Sequence, residues 1–117
     1  MHADIAEKRE QLIALCLRYD VARLEVFGSA ARGADFDAAH SDADFLVEFK
    51  PESAISPLEQ FFGLADALAN VLGRRVDLVE PSAIRNPFIR AAVDRSRELV
   101  YEARESSDGR TGAAGQN

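Results

Sequence analysis

The sequence predicts an α+β layer, a small mixed or antiparallel sheet with helices packed on one face. Three observations lead there. Short β-favouring runs alternate with longer stretches whose apolar residues recur at helical spacing. The candidate strands carry apolar side chains on one side and Asp42, Asp44 and Asp77 on the other. The length of 117 residues, 47% of them hydrophobic, suits one domain with a single modest core. A sheet covered on both faces would not tolerate those aspartates pointing inward unpaired. The acidic face is therefore expected to be the open one, and the place where something binds.

The elements follow in order. Ile5, Leu12, Ile13, Leu15, Cys16 and Tyr19 form one stripe of a first helix, with Asp4 as its N-cap. Asp20 breaks it, and Arg23 to Phe27 is a first strand ending at Gly28. Gly28 and Ser29 turn into a short helical piece, Ala30-Ala31-Arg32, followed by a loop from Gly33 to Ser41. Asp44 to Phe49 is the clearest strand, stopped by Lys50-Pro51. Leu58 to Leu72 is a second amphipathic helix, with Leu58, Phe61, Phe62, Ala65, Leu68, Ala69 and Leu72 inward and Gly73 as its stop. Arg75 to Val79 is a third strand closed by Pro81. Asn86 caps a last helix with Pro87 at its first position, and Phe88, Ile89, Ala92 and Val93 face inward. Glu98 to Tyr101 is a last turn or a fourth strand. Residues 1–103 form the domain. Residues 104–117 are small and polar and are expected to be a disordered tail.

Charge and composition exclude several roles. Fourteen Lys and Arg against 20 Asp and Glu leave a net charge of −6, the wrong sign for unspecific adhesion to nucleic acid or anionic lipid. The lone Cys16 allows no internal disulfide and fits a reducing interior. No apolar run approaches the ~20 residues of a membrane span. The first residues lack a signal-peptide core, so the cytoplasm is the expected location.

Chemistry concentrates in three places. Asp42 and Asp44 lie two apart at a strand start, their Cα atoms ~6–7 Å from one another. Two carboxylates so placed repel unless a cation lies between them, and an oxygen-only set at an open site suits Mg2+. Asp77 supplies a third carboxylate to the same face. Three converging aspartates can hold two Mg2+ ions ~3.5–4 Å apart, as in-line attack at phosphorus requires. Taken singly, an Asp-x-Asp is more often a solvated pair. An EF-hand is excluded, because the Asp35 to Asp44 loop lacks the required spacing and a terminal Glu. Gly28-Ser29 follows a strand and precedes a helical turn, a geometry that brings backbone and a hydroxyl to an anion, with Arg32 near enough to add charge. Taken alone it is a plain turn. Together the three features make a nucleotide-plus-metal site. Cys16 reads as packing, Phe61 and Phe62 as core or interface, and Asp35, Asp37 and His40 as solvated loop residues. Arg85, Arg90, Arg95 and Arg97 make the last helix locally basic, a solvated face or a meeting point for an acidic partner or RNA.

Phe27-Gly28-Ser29-Ala30-Ala31-Arg32-Gly33, then Ser41-Asp42-Ala43-Asp44 leading into Phe49, then Arg75-Val76-Asp77-Leu78-Val79, resembles the minimal nucleotidyltransferases of the DNA polymerase beta superfamily. The likeness continues through Ile84 to Phe88 and Arg97 to Tyr101. It implies the polymerase beta-like palm fold, with Gly28 and Ser29 on the nucleotide phosphates. It also implies metals on Asp42 and Asp44, and Asp77 completing the site and deprotonating the acceptor. The expected reaction is Mg2+-dependent transfer of AMP from ATP to a hydroxyl. Such proteins are similar to antitoxins whose partner is a HEPN-family ribonuclease toxin, which implies adenylylation of a toxin tyrosine. Two other readings stand beside it: a catalytically silent antitoxin that acts by contact, and a small-molecule transferase of the aminoglycoside-modifying kind, its acceptor pocket completed by a homo-oligomer.

Overall fold

A computed structural model describes residues 3–28 and 43–103. The elements are α1 (Ala3–Glu7), α2 (Arg9–Arg18), β1 (Val21–Phe27), β2 (Ala43–Phe49), α3 (Pro57–Leu72), β3 (Val76–Val79), a 3-10 turn (Pro81–Ala83), α4 (Pro87–Ser96) and β4 (Glu98–Glu102). The four strands form one sheet in the order β3-β2-β1-β4. β1 runs antiparallel to both β2 and β4, whereas β2 and β3 are parallel and joined through α3. The sheet is thus mixed, as a βαβ unit beside an antiparallel pair must be.

Local chemistry explains most element ends. Ser56 caps α3 by accepting from the Glu59 amide at 3.2 Å, with Pro57 in the first turn. Gly73 closes α3 in the left-handed region at φ 68°. Asn86 Oδ1 accepts from the Phe88 and Ile89 amides at the start of α4. Asp20 takes a positive φ of 56° between α2 and β1, and its carboxylate accepts from Ser53 Oγ at 2.6 Å.

The first helical stretch is two helices rather than one. It breaks at Lys8, whose amide bonds to the Ile5 carbonyl three residues back, and Asp4 sits inside α1 instead of capping it. The fourth strand exists and pairs with β1. The predicted tail beyond residue 103 lies outside the described residues.

Ile5, Leu12 and Cys16 of α1 and α2 pack with Leu64 and Leu68 of α3 onto one face of the sheet. Leu24, Val26, Ala43, Phe45, Val47, Leu78 and Val100 meet them there, in one continuous core. Burial pushes the Cys16 thiol pKa up to about 12. The buried stripe of α3 is rotated from the expected one. Gln60, Leu64 and Leu68 are innermost, while Leu58 and Phe62 are exposed. Gln60 is accommodated because its Nε2 donates to the Tyr19 carbonyl at 3.0 Å.

The opposite face carries Arg23, Glu25 and Phe27 of β1, Asp44, Leu46 and Glu48 of β2, and Asp77 and Val79 of β3. Its buried centre is Glu25, 5% exposed, whose Oε2 accepts from Arg23 and Arg97 at 3.2 Å each. Arg23 also donates to Glu102 at 2.6 Å, and these bonds, led by the one to Glu25, hold its guanidinium pKa above the ordinary value. Arg97 is thus a structural cation rather than part of a solvated basic face. The face is not bare throughout. Phe27 and Val79 line an apolar cleft with Ile84, Ile89 and Val93, which brings α4 over one corner. Only Val93 of α4 is buried there, and Phe88 and Ile89, expected inward, are 84% and 55% exposed. Among the described residues no helix is long and apolar enough to cross a membrane.

Candidate active site

Asp44 and Asp77 are Cα partners across the parallel β2–β3 pair. Neighbouring strands lie about 4.8 Å apart, and partnered residues point to the same side. The two carboxylates therefore stand side by side on the acidic face, Asp77 exposed and Asp44 half-buried. Both occupy the same end of the sheet, since Phe27, the last residue of β1, is the partner of Asp44.

Gly28 follows directly, with a φ of 71°. A β-carbon there would stand 2.9 Å from Asp44 Oδ2, so the turn and the carboxylate are in contact and only glycine fits between them. The Gly28 amide donates to Ser96 Oγ at 2.9 Å, which ties the end of β1 to the end of α4. That N–H is used within the protein, and what Gly28 offers the site is the absence of a side chain.

Of the residues singled out from the sequence, the structure brings Gly28, Asp44 and Asp77 together. Ser29, Arg32 and Asp42, with Asp35, Asp37 and His40, lie outside the described residues. Among the described residues no three His, Cys, Asp or Glu side chains form a metal cluster, and the pair Asp44 and Asp77 is what is present. Its chemistry fits a hard divalent cation. Two oxygen-only donors on adjacent strands repel one another, and an ion such as Mg2+ that keeps part of its water shell relieves the repulsion.

Asp77 has a second neighbourhood. It forms the rim of an open cleft of about 890 Å³ that runs along the β3 edge. Glu59, Phe62 and Asp66 of α3 and Arg75 of the strand's approach line this cleft. These residues were not singled out as functional from the sequence. The sequence carries no signal for them, because Phe62 turns outward only once Gln60, about 200° around the helix from it, is seen on the buried stripe.

Comparisons with known proteins agree with this architecture. Residues 8–100 match the nucleotidyltransferase domain family. The chain is 37% identical over 84 residues to the protein adenylyltransferase MntA of Thermococcus cleftensis, covering 72% of this chain and 77% of that protein. A solved structure described as a minimal nucleotidyltransferase superposes with a TM-score of 0.65 at 34% identity, covering 84% of this chain and 95% of that one. The fold also matches a Shewanella oneidensis complex of a tri-AMPylated HEPN toxin with its MNT antitoxin, with a TM-score of 0.55 at 18% identity, covering 84% of this chain and 72% of that one.

Proposed function

The chain belongs to the nucleotidyltransferase domain family, and on that premise we propose that it transfers AMP from ATP to a tyrosine hydroxyl of a HEPN-family toxin and so acts as its antitoxin. The observation that carries this reading is the adjacency of Asp44 and Asp77, with the side-chain-free Gly28 against Asp44. The relatives support the choice of acceptor, because one is a protein adenylyltransferase and a fold neighbour is a complex with an AMPylated HEPN toxin.

In this reading the triphosphate lies along Gly28 and Ser29, with Arg32 adding positive charge. Asp42, Asp44 and Asp77 would hold two Mg2+ ions, which when bound neutralise charge on the triphosphate and on the departing pyrophosphate. The acceptor oxygen bonds to the α-phosphorus as the bond from that phosphorus to the α,β-bridging oxygen breaks. Pyrophosphate leaves, and the hydroxyl proton passes to the Asp77 carboxylate, which the exposed edge strand leaves accessible to a bulky acceptor. Positioning and charge stabilisation carry the catalysis.

The test is label transfer from ATP in a lysate of the source cells, with Mg2+ or with EDTA, comparing wild type with Asp42→Asn/Asp44→Asn. The expected result is a labelled protein band of toxin size that needs both Mg2+ and intact aspartates. A partner that co-purifies unlabelled would replace this reading with inhibition by contact. Label on small molecules alone would remove the antitoxin role.

A further inference from the structure

An open cleft extends beyond Asp77, and the reaction as derived above uses none of its walls apart from Asp77. Its volume of about 890 Å³ lies in the upper range of ligand clefts, roughly 300–1,000 Å³. We propose that this cleft is the acceptor channel, with Phe62, Glu59 and Asp66 as specificity-determining residues for a polypeptide segment whose target tyrosine is flanked by basic residues. The inference rests on the functional reading above and adds the wall that recognises the acceptor and the chemistry it selects.

Three observations carry it. The first is the strand order. Gly28 lies at the end of β1, Asp44 on the central β2 and Asp77 on the edge strand β3, so Gly28 and Asp77 flank Asp44. In-line displacement needs the nucleophile and the leaving group on opposite sides of the phosphorus. A triphosphate seated at Gly28 leaves the β3 side to the acceptor, and the cleft opens from Asp77 on that side.

The second is charge. Among the described residues, Glu59, Asp66 and Asp77 line the cleft with Arg75 as the one cation. Such a lining repels a triphosphate and attracts Lys and Arg side chains, complementarity that sets specificity more than raw affinity. The third is Phe62. Its ring is 61% exposed on the cleft wall, yet held edge-on against the partly buried Phe61, with centroids 5.3 Å apart and planes at 84°. A large aromatic surface already held in place loses little entropy on binding and suits an apolar or aromatic residue beside the target tyrosine.

The test uses two synthetic peptides, each with one central tyrosine, flanked by arginines in one and by glutamates in the other. Binding is read by fluorescence anisotropy with a non-hydrolysable ATP analogue present, and label transfer from ATP is read in parallel. Wild type is expected to bind the arginine peptide at least about tenfold more tightly, equivalent to ~1.4 kcal/mol. Glu59→Gln/Asp66→Asn should remove that preference, and Phe62→Ala should weaken both peptides while leaving affinity for the ATP analogue unchanged. All three side chains are exposed, so the variants should melt close to wild type. Equal binding of both peptides by wild type, or a preference that survives in the double variant, overturns the proposal. So does a Phe62→Ala defect confined to the ATP analogue, which would assign the cleft to the nucleotide. If the peptide preference holds but no label is transferred to any hydroxyl, the cleft assignment stands and the adenylylation reading falls.

Discussion

A β-carbon on Gly28 would stand 2.9 Å from the Asp44 carboxylate, closer than such atoms approach in folded proteins. Gly28→Ala therefore meets two penalties, the positive φ of 71°, which costs a residue with a side chain ~1–2 kcal/mol, and displacement of Asp44. The expected loss is about 2–3 kcal/mol by chemical denaturation, together with lost transfer activity. Only part of the stability loss should persist in an Asp44→Ala background, since the carboxylate being crowded is gone. Equal losses in both backgrounds would show that the contact carries no energy.

Asp77→Asn keeps the shape of the side chain and removes its basicity. With Asp77 as proton acceptor, the transfer rate should drop by about 10²–10⁴-fold, with stability within ~0.5 kcal/mol of wild type because the residue is exposed. Single-turnover label transfer measures the first and denaturant titration the second. A variant that retains full rate removes Asp77 from the chemistry.

Glu25 is almost fully buried between Arg23 and Arg97. Arg97→Ala deletes one of its two charged donors, and a hydrogen bond to a charged group is worth about 1.5–3 kcal/mol. Both guanidinium groups are partly exposed, which places the expected loss near the lower end. Replacing Glu25 itself by Ala leaves two arginines facing one another and should cost more than Arg97→Ala in the same urea titration. The reverse order would mean that Arg97 matters through its packing.

The raised Cys16 pKa has a defined consequence for stability. The folded thiol keeps its proton until about pH 12, whereas the unfolded one releases it near 9.0. Between those values the unfolded state binds fewer protons, so stability falls as pH rises. The contribution is fully present below pH 9 and lost by about pH 12. Burial also raises the Tyr101 pKa and acts with the same sign. Melting temperatures of wild type and Cys16→Ala across pH 8 to 11 should show a steeper alkaline decline in wild type, and parallel curves would contradict it.

Asn86→Ala removes an acceptor used by two backbone amides at the start of α4. The expected cost is ~1 kcal/mol, read as a lower midpoint in urea. Asn86→Ser, which keeps an acceptor, should recover most of it.

The elements were legible where local chemistry defines them. The strand around Phe45 and Val47, the Gly73 stop of α3 and the Asn86-Pro87 start of α4 all appear where nearest-neighbour rules put them. Burial was less legible. Periodicity tells which residues share a face and is silent on what covers that face, so Phe88 and Ile89 read as core although only a corner of the sheet lies beneath α4. The stripe of α3 was misjudged for a related reason, because Gln60 reads as polar until the Tyr19 carbonyl that satisfies it comes into view.

Chain order and side-chain chemistry alone were thus enough for the α+β class and for most strands and helices, though not for the break at Lys8 or for the choice between a turn and a strand at Glu98 to Tyr101. Each of those signals is written within a few residues. Three relationships needed the folded chain: the register that makes Asp44 and Asp77 partners, the contact between Gly28 and the Asp44 carboxylate, and the cleft that Asp77 shares with α3. Each joins separate elements of the fold, and such contacts form only when the packing of Leu64, Leu68 and Phe45 fixes how α3 and the sheet sit against one another. A one-residue slip in that register would turn one carboxylate to the core, and the cost of burying it is what holds the pair on a common face.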